Sequence, residues 1–305
     1  MLRRMIVMAA IAAVVGGVAL WVAALPGVVP ASALAPRTAD PGNGKNMFLI
    51  GGCSSCHATP KQDDRTLLGG GLALKSPFGT FYVPNISPDP YNGIGKWSEA
   101  DFATAMLKGT SPQGQHLYPA FPYTSYQRMK LDDVRDLFAY LKTLPAAQTP
   151  SKPHDLPFPF NIRASLGVWK LLFLDGKPFE PNPLENAVWN RGSYLVNGPG
   201  HCAECHSPRN ILGGIIAKQR FAGGPAPDGS GDFVPNITQR ALNNWSKEQL
   251  FKLFSSGETP DGDTVGGEMA KVAGNTAQLP ESDREAIATY VKALFPIVGP
   301  EPPRK

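Results

Sequence analysis

No basic cluster with interleaved aromatic residues occurs in the 305-residue sequence. Nucleic acid is therefore not an expected partner. No phosphate-cradling glycine loop, Ser/His/Asp set or pair of catalytic carboxylates stands out, so the residues of common hydrolytic and phosphoryl-transfer chemistry are missing. Alternating β-branched runs are too short for a large sheet, and no βαβ pattern is present. With 42% hydrophobic and 18% charged residues the chain is not disordered. Cysteine is scarce: the four residues Cys53, Cys56, Cys202 and Cys205 are all there are.

Glycine and proline are plentiful, 32 and 31 residues spread along the chain. They imply a mainly α, loop-rich protein whose short helices need something else to organise the core. The length suits two domains. At the N-terminus Arg3 and Arg4 precede an apolar run from Met5 to Leu25. This run is longer than the apolar stretch of a cleaved signal peptide and approaches the length that spans a bilayer. Small-residue cleavage patterns exist at Ala31-Ser32-Ala33 and Ala33-Leu34-Ala35, the second followed by an obstructing Pro36. Residues 1–35 are thus a membrane anchor or a signal peptide, the length favouring the anchor. Either way the remainder is exported to the periplasmic side of the cytoplasmic membrane.

The cysteines fall in Cys53-Ser54-Ser55-Cys56-His57 and Cys202-Ala203-Glu204-Cys205-His206. Both are C-x-x-C-H, the attachment pattern of c-type haem. Two thiols about one helical turn apart can add to the two vinyl groups of one porphyrin, and the adjoining His57 or His206 reaches the iron. A thioredoxin-type pair would follow a strand in a βαβ unit. A four-cysteine zinc site would not need the histidines. A disulfide across two residues would be a poor cross-link. Two covalently bound haem c groups are expected.

The surroundings of the motifs recur about 150 residues later. Val83-Pro84-Asn85-Ile86 and Trp97-Ser98 are matched by Val234-Pro235-Asn236-Ile237 and Trp245-Ser246. Tyr140-Leu141-Lys142 is matched by Tyr290-Val291-Lys292. A repeat this long means duplicated domains: 36–150, then a Pro- and aromatic-rich segment 151–188 that wraps them, then 189–305. Helices are predicted over Leu131–Leu144 and Glu281–Leu294 from their apolar spacing, with capping-box spacing at Ser98/Asp101 and Ser282/Glu285.

A haem iron held by His becomes an electron carrier when Met or His fills its other side. The second copy contains one methionine, Met269, ahead of its last helix; His201 adjoins Cys202 and so lies on the wrong side. At the matching place the first copy has Phe121, which cannot ligate iron. Its candidates are Met129, Met106 and His116, with Met129 preferred for its loop position. Asn85, Asn236, Trp97, Trp245 and Arg209 are candidates for hydrogen bonds to haem propionates, with turn or core roles as the alternative.

Three further motifs are Pro-Asn-Ile-Ser-Pro-Asp (84–89), Leu-Tyr-Pro-Ala-Phe-Pro-Tyr-Thr-Ser-Tyr (117–126) and Gly-His-Cys-Ala-Glu-Cys-His-Ser-Pro-Arg-Asn (200–210). With them, residues 44 to 294 resemble the cytochrome c subunits of membrane-bound alcohol and gluconate dehydrogenases. The resemblance implies two tandem cytochrome c domains that take electrons from a partner dehydrogenase and pass them to quinone, a soluble cytochrome or a terminal oxidase. Such subunits usually carry three haems, and this chain has two motifs. The alternative is a peroxidase-like enzyme with an open first haem, for which His116 is the only evident acid or base.

Overall fold

The computed structural model describes residues 2–302. Residue 1 and residues 303–305, the outer ends of the expected N-terminal segment and second domain, lie outside the described residues. Helix α1 (Leu2–Ala23) is apolar and exposed throughout, with mean hydropathy 2.5 over its core window. At 22 residues it is about 33 Å long, enough to cross a bilayer.

The chain leaving α1 does not hang free. Val29 is buried, and its N–H bonds the Thr104 hydroxyl at 3.0 Å. Arg37 pairs with Asp136 at 2.7 Å, and the Ala35 carbonyl accepts from Arg135 at 2.9 Å.

The first copy comprises α2 (Pro41–Ile50), α3 (Cys53–His57), the hairpin β1 (Ala73–Ser76) and β2 (Gly79–Tyr82), α4 (Glu99–Lys108), α5 (Tyr123–Tyr126) and α6 (Leu131–Leu141). Asp40 starts α2 by accepting from the Gly42 and Asn43 amides, with Pro41 in the first turn. After α7 (Ser165–Phe173), the second copy runs α8 (Ala187–Asn197), α9 (Ala203–His206), the short hairpin β3 (Gly224–Pro225) and β4 (Phe233–Val234), α10 (Gln239–Leu242), α11 (Lys247–Ser256), α12 (Gly267–Thr276) and α13 (Glu281–Lys292). The protein is mainly helical, with only two-stranded sheets among the described residues.

Each copy is built on one close helix crossing, α2 on α6 and α8 on α13. A Cβ on Gly44 would lie 2.0 Å from the Asp136 carbonyl oxygen; on Gly192 it would lie 1.9 Å from that of Ala286. Only glycine lets these backbones approach so closely. The crossings feed one continuous core, in which Met47, Phe48 and Leu137 of the first copy join Leu195, Leu250 and Ile287 of the second.

Two expectations need correction. The last helices end at Leu141 and Lys292, short of Leu144 and Leu294, because Pro145 and Pro296 disfavour helical backbone just ahead of them. The capping box at Ser98/Asp101 forms, but Ser282 lies inside α13, whose N-cap is Pro280. The second box is instead Ser246/Gln249, at the head of α11 and matching Ser98.

The 151–188 segment is stitched to both copies. Asp155 bonds Thr80 through backbone, the Tyr118 hydroxyl donates to the Phe160 carbonyl, and Trp169 Nε1 donates to the Leu212 carbonyl at 2.8 Å.

Candidate functional site

Both C-x-x-C-H motifs are short helices entered from a tight turn. In α3, Cys53 and Cys56 are one turn apart and His57 ends the helix. Cys202 is the N-cap of α9, which ends at His206. The histidines are oriented alike: His57 Nδ1 lies 2.9 Å from the Pro84 carbonyl, and His206 Nδ1 lies 2.8 Å from that of Pro235. A carbonyl only accepts, so Nδ1 carries the hydrogen and Nε2 keeps its lone pair free. Burial pushes the His57 pKa down to about 4 against the weaker pull of its carbonyl bond, and lowers that of His206 for the same reason. Both rings are neutral donors at physiological pH.

The carbonyl-bearing loops are fixed by the two repeated asparagines. Asn85 Nδ2 donates to the Ala147 and Thr149 carbonyls at 2.6 and 2.9 Å, while its Oδ1 accepts from the Ser87 amide. Asn236 Nδ2 donates to the Ile297 carbonyl at 2.8 Å, and its Oδ1 accepts from Thr238. Both amides are spent holding turns. Arg209 is likewise engaged, with Glu204 and the Gly213 carbonyl. Trp97 and Trp245 pack against the core.

The four thiols are unpaired. Burial pushes Cys53 and Cys202 up to about 12 and also raises Cys56 and Cys205, so all four stay protonated. No group of three or more Cys, His, Asp or Glu side chains among the described residues converges as on a metal ion. Paired free thiols a turn apart, beside a half-buried His with Nε2 free, fit a covalently attached haem.

The two copies stay in register along the chain beyond each motif. Helices α4 and α11 end on left-handed Gly109 and Gly257, whose carbonyls accept from Leu117 at 2.7 Å and from Val265 at 2.9 Å. Four residues on stand Phe121 and Met269. Phe121 packs edge-on to Tyr126, 5.4 Å between centroids, while Met269 sits in the first turn of α12, partly buried against the core. Buried Met129 closes a turn onto the Tyr126 carbonyl at 2.8 Å, as Leu279 does onto that of Thr276 at 3.0 Å. The copies have thus exchanged positions: Phe121 and Met129 in one, Met269 and Leu279 in the other. Met106 is a buried residue of α4. His116 is spent elsewhere, its Nε2 3.0 Å from the Ala24 carbonyl beside the end of α1. His201 packs at a tilt against Tyr126, between the copies.

Sequence reasoning missed Glu204, the charge inside the second cysteine pair. Its carboxylate accepts from Thr124 Oγ1, Ser125 Oγ and Arg209 Nη2, each at 2.7 Å. Burial would raise its pKa, but Arg209 and the two hydroxyls outweigh it and the carboxylate stays ionised. Thr124 and Ser125 belong to the first copy. The matching link runs the other way, Asn275 Nδ2 of the second copy donating to Ser55 Oγ of the first motif at 3.1 Å. A signal was present: an acid between two cysteines, where the first motif has Ser55.

The cytochrome c family model matches residues 42–145. A dihaem c-type cytochrome of Cereibacter sphaeroides is 47% identical over 287 residues, covering 93% of this chain and 96% of that protein. The chain belongs to the dihaem c-type cytochromes. As a member of that family this cytochrome binds haem c covalently and transfers electrons. It is also similar to the fructose dehydrogenase cytochrome subunit of Gluconobacter japonicus, 36% identical over 87% of the chain and 54% of the subunit. The gluconate 2-dehydrogenase cytochrome c subunit of Pantoea cypripedii is 35% identical, over 82% of the chain and 58% of the subunit. This cytochrome spans a little over half the length of those two dehydrogenase subunits.

Proposed function

We propose that this cytochrome holds two haem c groups and relays electrons from a dehydrogenase to the respiratory chain at the periplasmic face of the cytoplasmic membrane. The observation that carries the reading is the shared orientation of His57 and His206, each bonded through Nδ1 to the carbonyl of a repeated Val-Pro-Asn-Ile segment. Haem c, when bound, supplies a one-electron iron couple. Cys53 and Cys56 hold the first group with His57; Cys202 and Cys205 hold the second with His206. Met269 closes the second iron and Met129 the first. The domains are residues 36–150 and 189–305, joined by 151–188.

The donor is a membrane or periplasmic dehydrogenase, and the acceptor is quinone, a soluble cytochrome or a terminal oxidase. The dehydrogenase subunits among the relatives support the donor class. Helix α1 stays attached as a membrane anchor, because cleavage after Ala33 or Ala35 would strip Val29 from the first domain's core. The shared core and the paired Ser125–Glu204 and Asn275–Ser55 bonds support a rigid relation between the motifs. The test is affinity purification of the full-length protein from solubilised membranes. A dehydrogenase in the eluate whose substrate reduces the haems is expected; reduction by no co-purified partner, with intrinsic peroxidase turnover, would overturn the reading.

A further inference from the structure

Helix α7 is amphipathic the wrong way round for a soluble protein. Lys170 faces inward and is buried, its Nζ donating to the Lys108 and Gly109 carbonyls at the end of α4 at 2.8 and 2.7 Å. The opposite face carries Val168, Leu171 and Leu172, spaced i, i+3, i+4 on one stripe, and all three are exposed, Leu172 at 62%. The second copy extends this surface. Trp169 Nε1 bonds the Leu212 carbonyl, and the adjoining Ile211 and Leu212 are exposed, Ile211 at 92%. An exposed apolar surface of this kind, with the Trp169–Leu212 bond joining its two parts, marks an interaction site.

Its position says what covers it. Gly167 of α7 abuts the Ala24 carbonyl, 2.3 Å from where a Cβ would stand, and His116 Nε2 bonds the same carbonyl at 3.0 Å. Ala24 directly follows α1. The apolar stripe is therefore pinned at the point where the membrane-spanning helix enters the folded domain, which is the level of the bilayer surface.

We propose that the outer face of α7, with the Ile211–Leu212 turn, is a second membrane contact lying in the headgroup and acyl-chain boundary. This rests on the reading of α1 as a retained anchor. With two contacts, one spanning and one lying flat, the haem domains cannot swivel about α1 and are held at a fixed height and tilt. The partner is a lipid surface, recognised by buried apolar area.

The test uses full-length dihaem protein with a photoreactive benzoylphenylalanine placed singly at Val14, Leu172 or Tyr91. Tyr91 is 83% exposed and is the control. Each variant is reconstituted into phosphatidylethanolamine/phosphatidylglycerol vesicles after its haem content is matched to the parent. Lipid adducts are expected at Val14 and Leu172, with at least tenfold less at Tyr91. Adducts at Val14 but not at Leu172 would overturn the α7 contact and leave the anchor standing. Adducts at neither would overturn both. Irradiation in native membranes separates the remaining case, since a Leu172 adduct to a protein instead of lipid would make this face a subunit interface and overturn the proposal.

Discussion

Ser125 Oγ donates to the Glu204 carboxylate at 2.7 Å, tying the segment before the last helix of the first copy to the haem motif of the second. The equivalent residues of the other pairing, Asn275 and Ser55, bond at 3.1 Å. A self-complementary contact of this kind is what a twofold-related pair makes, here within one chain. The acid makes one link stronger than the other, since hydrogen bonds to a charged group are worth roughly twice those between neutral ones.

Removing that acid should loosen the seam. Glu204→Ala leaves Arg209 without its carboxylate and two hydroxyls without an acceptor, and is expected to cost about 2–4 kcal/mol. Glu204→Gln keeps an acceptor and should cost clearly less. Thermal unfolding of the two haem-loaded variants checks the order; equal loss would mean the charge is immaterial.

The close crossings make a second prediction. Gly44→Ala and Gly192→Ala each drive a Cβ into a carbonyl oxygen at 2.0 or 1.9 Å, forcing two helices apart. Each should destabilise by about 2–4 kcal/mol and lower haem content. Gly274→Ala, in α12 with open space around its Cβ position, should instead gain up to about 1 kcal/mol from helix propensity. Denaturant unfolding and a pyridine haemochrome assay read both quantities.

Exchange of the two methionine positions can be tested by ligand competition. Carbon monoxide should not shift the reduced spectrum of the parent. Met129→Leu and Met269→Phe should each open one iron, so that half the haem binds carbon monoxide in either variant and all of it in the double variant. No change in Met129→Leu would assign the first iron to another residue, with Met106 the next to replace.

Processing gives a fourth outcome. Val29 is buried and its amide bonded to Thr104, so the mature protein should keep its N-terminal segment. Intact-mass measurement of the membrane form is expected to include residues 2–30, and a mass starting at Leu34 or Pro36 would show cleavage.

The fifth concerns acid. Burial opposes ionisation of Asp136, but the Arg37 guanidinium, the Asp40 amide and Asn43 overcome it and hold its pKa below the ordinary 3.8. A depressed carboxylate stabilises above its unfolded pKa, and that contribution disappears as pH falls through the lower folded value. Asp136→Asn should therefore be less stable than the parent at neutral pH, with the gap closing below about pH 4. A constant gap across the acid range would sink the assignment.

What could be read early was local or repeated. A C-x-x-C-H motif puts two thiols and an imidazole within about one helical turn, so its chemistry follows from consecutive residues. The recurrence of Val-Pro-Asn-Ile, Trp-Ser and Tyr-x-Lys announced duplication, and apolar spacing located α6 and α13. The misassigned cap at Ser282 shows the limit: its spacing to Glu285 fits a capping box, but the chain enters α13 at Pro280, and the box forms at Ser246 instead. Helix α7 went unread because SLGVWKLLF has no cap and no amphipathic pattern of the usual sense.

The sequence by itself carries the two C-x-x-C-H motifs, the recurrence of the segments around them and the apolar N-terminal run, since each depends on neighbours along the chain or on a fixed spacing. Tertiary structure alone decided that Glu204 joins the copies, that Asn85 and Asn236 brace the loops behind the histidines, and that α7 buries its lysine and turns its leucines outward. Those outcomes depend on which surfaces meet when the two copies dock, and residue spacing carries no record of that.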